Sequence, residues 1–328
     1  MWAVDALNNK CIFISALDWG MGHLMRTAAL VRALEKKNEV VIFSTERQKI
    51  HYSKLFPGIR QVSIPAYSVQ FYPHSVFRNI LAIRSFYKTI KAEHRVLKKY
   101  VEMVQRPDII ISDHRYGFYY GGVKNIFLTH QVRFQVPAIW AILNTIHHQL
   151  LEPFDEIWIP DYADSDKALA GKLSHSKIKI KDIPLQYIQP LSLMKKLELP
   201  KDIDYLFIIS GTEAERVFYE KYFYDYLRVL ENKKYVCKIV GGIRIDNKVF
   251  LGWKGVEETN VLMARSRSII TRAGYSTLLD LHKVMDKEHR LFLCAPKYQY
   301  EQKYLCRYWI ERGWAKDTSL IKNVYLNK

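Results

Sequence analysis

A histidine set just behind two glycines is the first candidate for chemistry in this chain. Gly20 and Gly22 follow an apolar run, and His23 falls in the first turn of the helix expected after them. Glycine permits a tight turn and close approach of a ligand, while a helix start offers free N–H groups and partial positive charge. An imidazole placed there can accept a proton from a hydroxyl. Two carboxylates compete for the same role. Asp113 closes a strand-like run, where it could act alone or orient a histidine, and Asp18 lies in the first loop. The structural alternative is that a strand-end Asp caps the next turn. His114, Arg115 and His130 occupy similar edges.

A second set of residues suits an anion. Ser210-Gly211-Thr212 leaves a strand and enters a helix, a small hydroxyl-rich turn of the kind that holds phosphate. The same residues also read as a helix cap, with Thr212 as N-cap and Glu215 three residues on. Further along, Thr271-Arg272-Ala273-Gly274-Tyr275-Ser276-Thr277 ends another strand. Arg272 can pair with phosphate oxygens, and Asp280, one to two turns into the following helix, can accept from ribose hydroxyls. Pro296 to Gln302 repeats the strand-to-helix pattern and brings Glu301 and Gln302 to a helix start.

These loops belong to an alternating strand and helix rhythm, the mark of a parallel α/β sheet. In the first half, strands are expected at 11–17, 39–45, 62–65, 108–112, 125–130 and 156–160, with helices at about 22–37 and 75–104. In the second half they are expected at 204–210, 235–241, 268–274 and 290–296, with helices at about 213–230, 276–287 and 301–312. The stretch 161–203 lacks periodicity and reads as a connection, with the boundary placed near Pro190. Two doubly wound domains, 1–189 and 190–328, are therefore expected. Ligands in such sheets sit beyond the carboxyl ends of the strands, where the residues named above fall.

Composition narrows the classes. No apolar run reaches the roughly 20 residues needed to span a bilayer, and the first ten residues lack a signal-peptide pattern, so the expected location is the cytoplasm. Cys11, Cys237, Cys294 and Cys306 are scattered and read as reduced core thiols. The formal net charge of +17 favours a polyanionic partner. A basic nucleic-acid-binding protein would account for that charge, yet no recognition motif is present and the glycine loops would go unused, so no nucleic acid is expected. A nicotinamide-dependent oxidoreductase is disfavoured because neither half carries a G-x-G-x-x-G fingerprint.

Taken in order, Gly20-Met21-Gly22-His23, Ser112-Asp113-His114-Arg115-Tyr116-Gly117, Leu128-Thr129-His130-Gln131, Ser210-Gly211-Thr212-Glu213, Arg272-Ala273-Gly274 with Thr277, and Pro296 with Gln302 form a recognisable series. The chain resembles the family 28 glycosyltransferases, typified by the lipid-linked N-acetylglucosaminyltransferase of peptidoglycan synthesis, over about 11–315. It looks closer to a little-characterised bacterial branch. The resemblance implies a GT-B fold of two Rossmann-like domains facing a central cleft. It also implies inverting transfer from a nucleotide-diphospho-sugar, with uridine the default base, to a glycan or lipid-linked acceptor. By that likeness His23 is the leading base; on the reading of the residues above, Asp113 is the second choice and Asp18 the third. The likeness assigns Arg272, Gly274 and Thr277 to the donor diphosphate, Asp280 to the ribose, and Gln302 with Glu301 to the donor sugar. By their places after strands, Gly20, Gly22, Ser210, Gly211, Thr212 and Ser276 join the donor set, and His114, Arg115 and His130 are expected at the acceptor. The better-known relatives carry Glu where Asp280 stands and a more glycine-rich turn where Ser210-Gly211-Thr212 stands.

No cofactor and no metal are expected, since Asp161-Tyr162-Ala163-Asp164 reads as linker and no other D-x-D is suitably placed. The first loop, Gly20 to Arg26, also resembles that of a nucleotide-sugar hydrolase of pseudaminic acid synthesis, in which water is the acceptor. Finally, Arg84, Lys88, Lys91, Arg95 and Lys98 form a basic stripe beside Ile83, Tyr87, Ile90, Leu97, Val101 and Val104. The apolar row is expected in the core. The basic row adds an expectation of peripheral contact with an anionic membrane at the inner face of the plasma membrane.

Overall fold

The computed structural model describes residues 4–67, 76–134, 142–175, 180, 182–246, 248–296 and 299–321. The chain divides into two compact units. One comprises Met1–Trp19 and His23–Leu191, the other Gly20–Gly22 and Ser192–Lys328.

The first unit is built on β1 (Cys11–Ala16), β2 (Glu39–Ser44), β3 (Arg60–Ser63), β4 (Ile109–Asp113), β5 (Lys124–Leu128), β6 (Glu156–Ile159) and β7 (Leu185–Tyr187). All pair in parallel, in the order β3-β2-β1-β4-β5-β6-β7. Four of its helices are α1 (Met21–Leu34), α2 (Glu46–Leu55), α3 (Val76–Met103) and α4 (Ile142–Leu151). The inner strands are near-continuous apolar runs because they are covered on both faces, whereas the edge strands β3 and β7 are not. Phe13, Val41, Phe43 and Ile110 are buried together with Leu97 and Val101 from α3. The sheet reverses its winding direction between β1 and β4, where Ala16 pairs with Asp113.

The second unit holds β8 (Ile203–Ile208), β9 (Cys237–Val240), β10 (Ser266–Arg272), β11 (Arg290–Cys294) and β12 (Lys316–Asp317), parallel throughout in the order β12-β11-β10-β8-β9. Its helices are α5 (Glu213–Asn232), α6 (Val256–Ala264), α7 (Tyr275–Val284) and α8 (Tyr300–Glu311). Phe207, Ile239, Ile270 and Phe223 anchor its core. Here the winding reverses between β8 and β10.

Three elements, β7, α6 and β12, lie where the sequence predicts connection or nothing. Strand β7 and the folded segment before it occupy the stretch read as a linker. Asp161 is fully buried there, accepting from the amides of Leu169 and Ala170 and from Ser174 Oγ. Helix α6 and the two-residue β12 were not anticipated. The apolar row of α3 divides: Leu97 and Val101 are in the core, whereas Ile83 and Tyr87 are 41% and 40% exposed and Val104 is also exposed. Arg84, Lys88, Lys91, Arg95 and Lys98 are all exposed. Ser75, the expected start of that helix, is outside the described residues. All four cysteines are free, and burial pushes the Cys237 and Cys294 thiols up to about 12. Among the described residues no helix is long and apolar enough to cross a membrane.

Candidate functional site

At the switch point of the first sheet a charged array is assembled in the interior. Helix α1 carries His23, Arg26 and Thr27 at positions i, i+3 and i+4, so all three face one neighbour, the end of β4. His23 Nδ1 lies 2.9 Å from Asp113 Oδ1. Arg26 donates from Nε to Asp113 Oδ2 at 3.2 Å and from Nη2 to Oδ1, while Thr27 Oγ1 donates to Oδ2 at 2.8 Å. Arg26 Nη1 reaches His130 Nδ1 at 2.9 Å. Asp113 has no exposed surface. Burial would raise its carboxyl, but Arg26 and His23 outweigh burial and hold it well below the usual carboxylate range.

His23 Nδ1 has two charged neighbours at 2.9 Å: the anionic Asp113 oxygen favours a hydrogen there, whereas Arg26 Nη2, which can only donate, favours the lone pair. With the hydrogen on Nδ1 toward Asp113, Nε2 is the unprotonated nitrogen of the neutral ring, and the side chain keeps 19% of its surface exposed. His130 Nδ1 faces the Arg26 guanidinium, which can only donate, so that nitrogen accepts.

The turn after β4 completes the arrangement. Ser112 Oγ accepts from the Arg115 amide at 3.1 Å and donates to the Arg115 carbonyl. His114 sits inside this bracket with φ of +59°, a left-handed conformation costly for a residue with a Cβ. Its ring is edge-on to His23 at 5.0 Å between centroids, and its Nε2 lies 2.7 Å from Thr129 Oγ1. Burial, reinforced by the nearby His23, pushes the His114 imidazole well down.

Arg115 is placed otherwise than the sequence suggests. It is fully buried, with Nε donating to the Ala16 carbonyl at 2.8 Å and Nη1 to Glu93 Oε2 at 2.9 Å and the Pro65 carbonyl at 3.0 Å. It ties α3 to the end of β1 and presents no surface to an acceptor. Asp18 accepts from the Tyr67 amide at 3.2 Å and lies 3.8 Å from Arg115. It holds a loop, apart from the His23 array.

The switch point of the second sheet gathers the candidate donor residues. Thr212 caps α5, and Glu215 returns the bond to its amide at 2.8 Å, so the capping box of the alternative reading is present. Gly211 has φ of +104°. Arg272, at the end of β10, is 4% exposed, pairs with Glu215 at 2.6 Å and lies over the Tyr219 ring. Gly274 is the N-cap of α7 and has no side chain to cap the helix. Asp280 receives a hydrogen bond from Ser192 Oγ, and burial pushes its carboxyl up to about 7. Glu301 and Gln302 occupy the first turn of α8, with Gln302 Oε1 buried and unbonded. Lys297 and Tyr298 lie outside the described residues. Ser210 is half-buried beside Gly211, and Gly20 has φ of +76°.

No family model matches the chain, and no curated protein matches it in sequence. Solved structures do. The glycosyltransferase of kitacinnamycin is similar over 95% of this chain and 86% of its own, at 11% identity and a TM-score of 0.60. UGT89C1 of Arabidopsis thaliana is similar over 97% and 89%, at 13% identity and a TM-score of 0.61. The spinosyn forosaminyltransferase SpnP gives 95%, 86%, 11% and 0.60.

The fold is GT-B. Within this GT-B chain each unit carries its polar cluster at its own switch point, the place where doubly wound sheets accept ligands. Sequence reasoning did not assign roles to Arg26, Thr27, Thr129, Ser192 and Gln299. The i, i+3, i+4 spacing from His23 was the available signal for Arg26 and Thr27; the other three depend on folding across distant segments.

Proposed function

We propose that the chain is an inverting glycosyltransferase that uses a nucleotide-diphospho-sugar, UDP-linked by the family 28 resemblance, and a glycan or lipid-linked acceptor. The observation that carries this is the His23–Asp113 pair. It supplies a base on a GT-B scaffold, with Nε2 free when the Nδ1 hydrogen faces Asp113. In the proposed reaction His23 Nε2 takes the acceptor hydroxyl's proton as that oxygen bonds to the anomeric carbon. The bond from that carbon to the diphosphate oxygen breaks on the opposite face, and the nucleoside diphosphate leaves with the bonding electron pair. Arg272 and the N-terminus of α7 would stabilise its charge. Asp113 would orient His23 and stabilise the imidazolium that forms.

UGT89C1 has been solved as a complex with UDP-L-rhamnose, a ligand of the class proposed. Peripheral contact with an anionic membrane is part of the proposal, supported by the exposed basic row and the exposed Ile83 and Tyr87 of α3. One observation favours a second reading. Arg26, which the hydrolase-like first loop shares, lies inside the buried array, and a water molecule could replace the acceptor hydroxyl. Product analysis separates the two. Incubation with a panel of nucleotide-sugars and candidate acceptors should give sugar joined to an acceptor; free sugar alone, with every acceptor untouched, would favour the hydrolase.

A further inference from the structure

The second unit already holds a negative charge where the proposed donor's phosphates would sit. Glu215 Oε2 accepts from the Thr212 amide at 2.8 Å and from Thr212 Oγ1 at 3.0 Å. Its other oxygen, Oε1, accepts from Arg272 Nη1 at 2.6 Å and from Gln299 Nε2 at the N-cap of α8. The pair lies directly on Gly211. A Cβ on that residue would stand 2.5 Å from Glu215 Oε2 and 2.9 Å from Arg272 Nη2, so only glycine leaves room for the carboxylate. The turn after β8, the guanidinium from β10 and the start of α8 thus converge on one side chain.

Two buried polar atoms nearby are left unsatisfied. Among the described residues, Arg272 Nε has no acceptor and Gln302 Oε1 no donor. Among the described residues Glu215, a helix-capping glutamate, is the carboxylate paired with this buried arginine, and an idle buried N–H is costly until an acceptor satisfies it.

We propose that Glu215 is an internal anion that holds the phosphate seat of the second unit, and that a diphosphate binds by displacing its carboxylate from Arg272. This rests on the donor-site reading given above. Two anions cannot share one guanidinium face without strong repulsion, so the incoming phosphate must supply the acceptor that Glu215 withdraws. Ionised Glu215 makes the exchange costly across the neutral range: burial opposes its charge, but Arg272 and Thr212 outweigh burial and hold the carboxyl below its ordinary value. Release of Oε1 also frees Gln299, so occupancy of the seat is linked to the start of α8, where Glu301 and Gln302 stand.

Glu215→Gln tests the proposal cleanly, because glutamine fills the third position of a capping box as well as glutamate and only the charge is lost. Calorimetric titration of the full chain with UDP and with inorganic pyrophosphate should show binding about tenfold tighter or better than wild type for both. The double variant Glu215→Gln/Arg272→Gln should lose that gain. Equal or weaker binding by Glu215→Gln, with wild type still binding UDP, would overturn the displaced anion and leave the donor site standing. If neither protein binds UDP or pyrophosphate at millimolar concentrations while both unfold cooperatively on heating, the displaced anion and the donor-site reading fall together.

Discussion

Asp113 is the residue on which the first unit's chemistry turns, and its environment makes two consequences measurable. Truncating it would strand Arg26 in the interior, and breaking a buried pair in this way costs about 3–5 kcal/mol. Asp113→Asn keeps the shape but offers only one carbonyl acceptor, so His23 loses the anion that favours its Nδ1 hydrogen. Turnover should fall by about 10²-fold or more, with donor affinity little changed, as checked by steady-state rates beside calorimetry. Asp280 gives the opposite electrostatic case. Its folded carboxyl is raised to about 7 from an unfolded value near 4, so the folded state holds the extra proton between those limits. The stability this contributes is complete below the unfolded value and is lost as pH rises through about 7. Asp280→Asn should therefore match wild type at pH ~4 and exceed it at pH ~8 by on the order of 1–3 kcal/mol in denaturant titrations. If the ionised form also grips ribose, wild-type UDP affinity rises from pH ~6 to ~8, and that of the Asn variant stays flat.

Elements decide which of these residues can meet. The strands were legible because apolar runs such as Ile109–Ile111 and Phe207–Ile209 admit little else than buried parallel strands. Helix α5 announced its start through Thr212 and Glu215, and the structure has that cap. Less was legible where local pattern and tertiary role diverge. Asp161 looked like linker because its partners, Leu169, Ala170 and Ser174, give no periodic signal. Arg115 looked available because a strand-end arginine is usually solvated, whereas Glu93 on α3 draws it inward across 22 residues of chain. The upper part of α3 was read as core because its spacing is that of a packed face, yet Ile83 and Tyr87 are exposed beside Arg84, Lys88 and Lys91. A face of that composition should bind anionic vesicles. Flotation with phosphatidylserine-containing liposomes should recover the wild type, and Lys88→Glu/Lys91→Glu/Arg95→Glu should abolish recovery, each lost cation contributing about 1 kcal/mol. Equal recovery of both proteins would remove the membrane contact.

On the scale of the whole molecule, the two units repeat one solution with different chemistry. Each is a parallel sheet whose winding reverses once, and each places its unusual polar residues at that reversal: the His23, Arg26 and Asp113 array in one, the Gly211, Glu215 and Arg272 cluster in the other. A nucleotide that binds only the folded chain should raise its melting temperature, and at about a hundred times its dissociation constant it adds about 2.7 kcal/mol. A thermal-shift series across nucleoside diphosphates would therefore identify the base before any acceptor is known. The most direct test follows from it. With the best-binding nucleotide-sugar, the rate of nucleoside diphosphate release is measured for the wild type and for His23→Ala, alongside the affinity of each for the donor. The account predicts measurable release by the wild type and a loss of about 10²-fold or more in the variant at unchanged affinity. Equal release by the two proteins would contradict it.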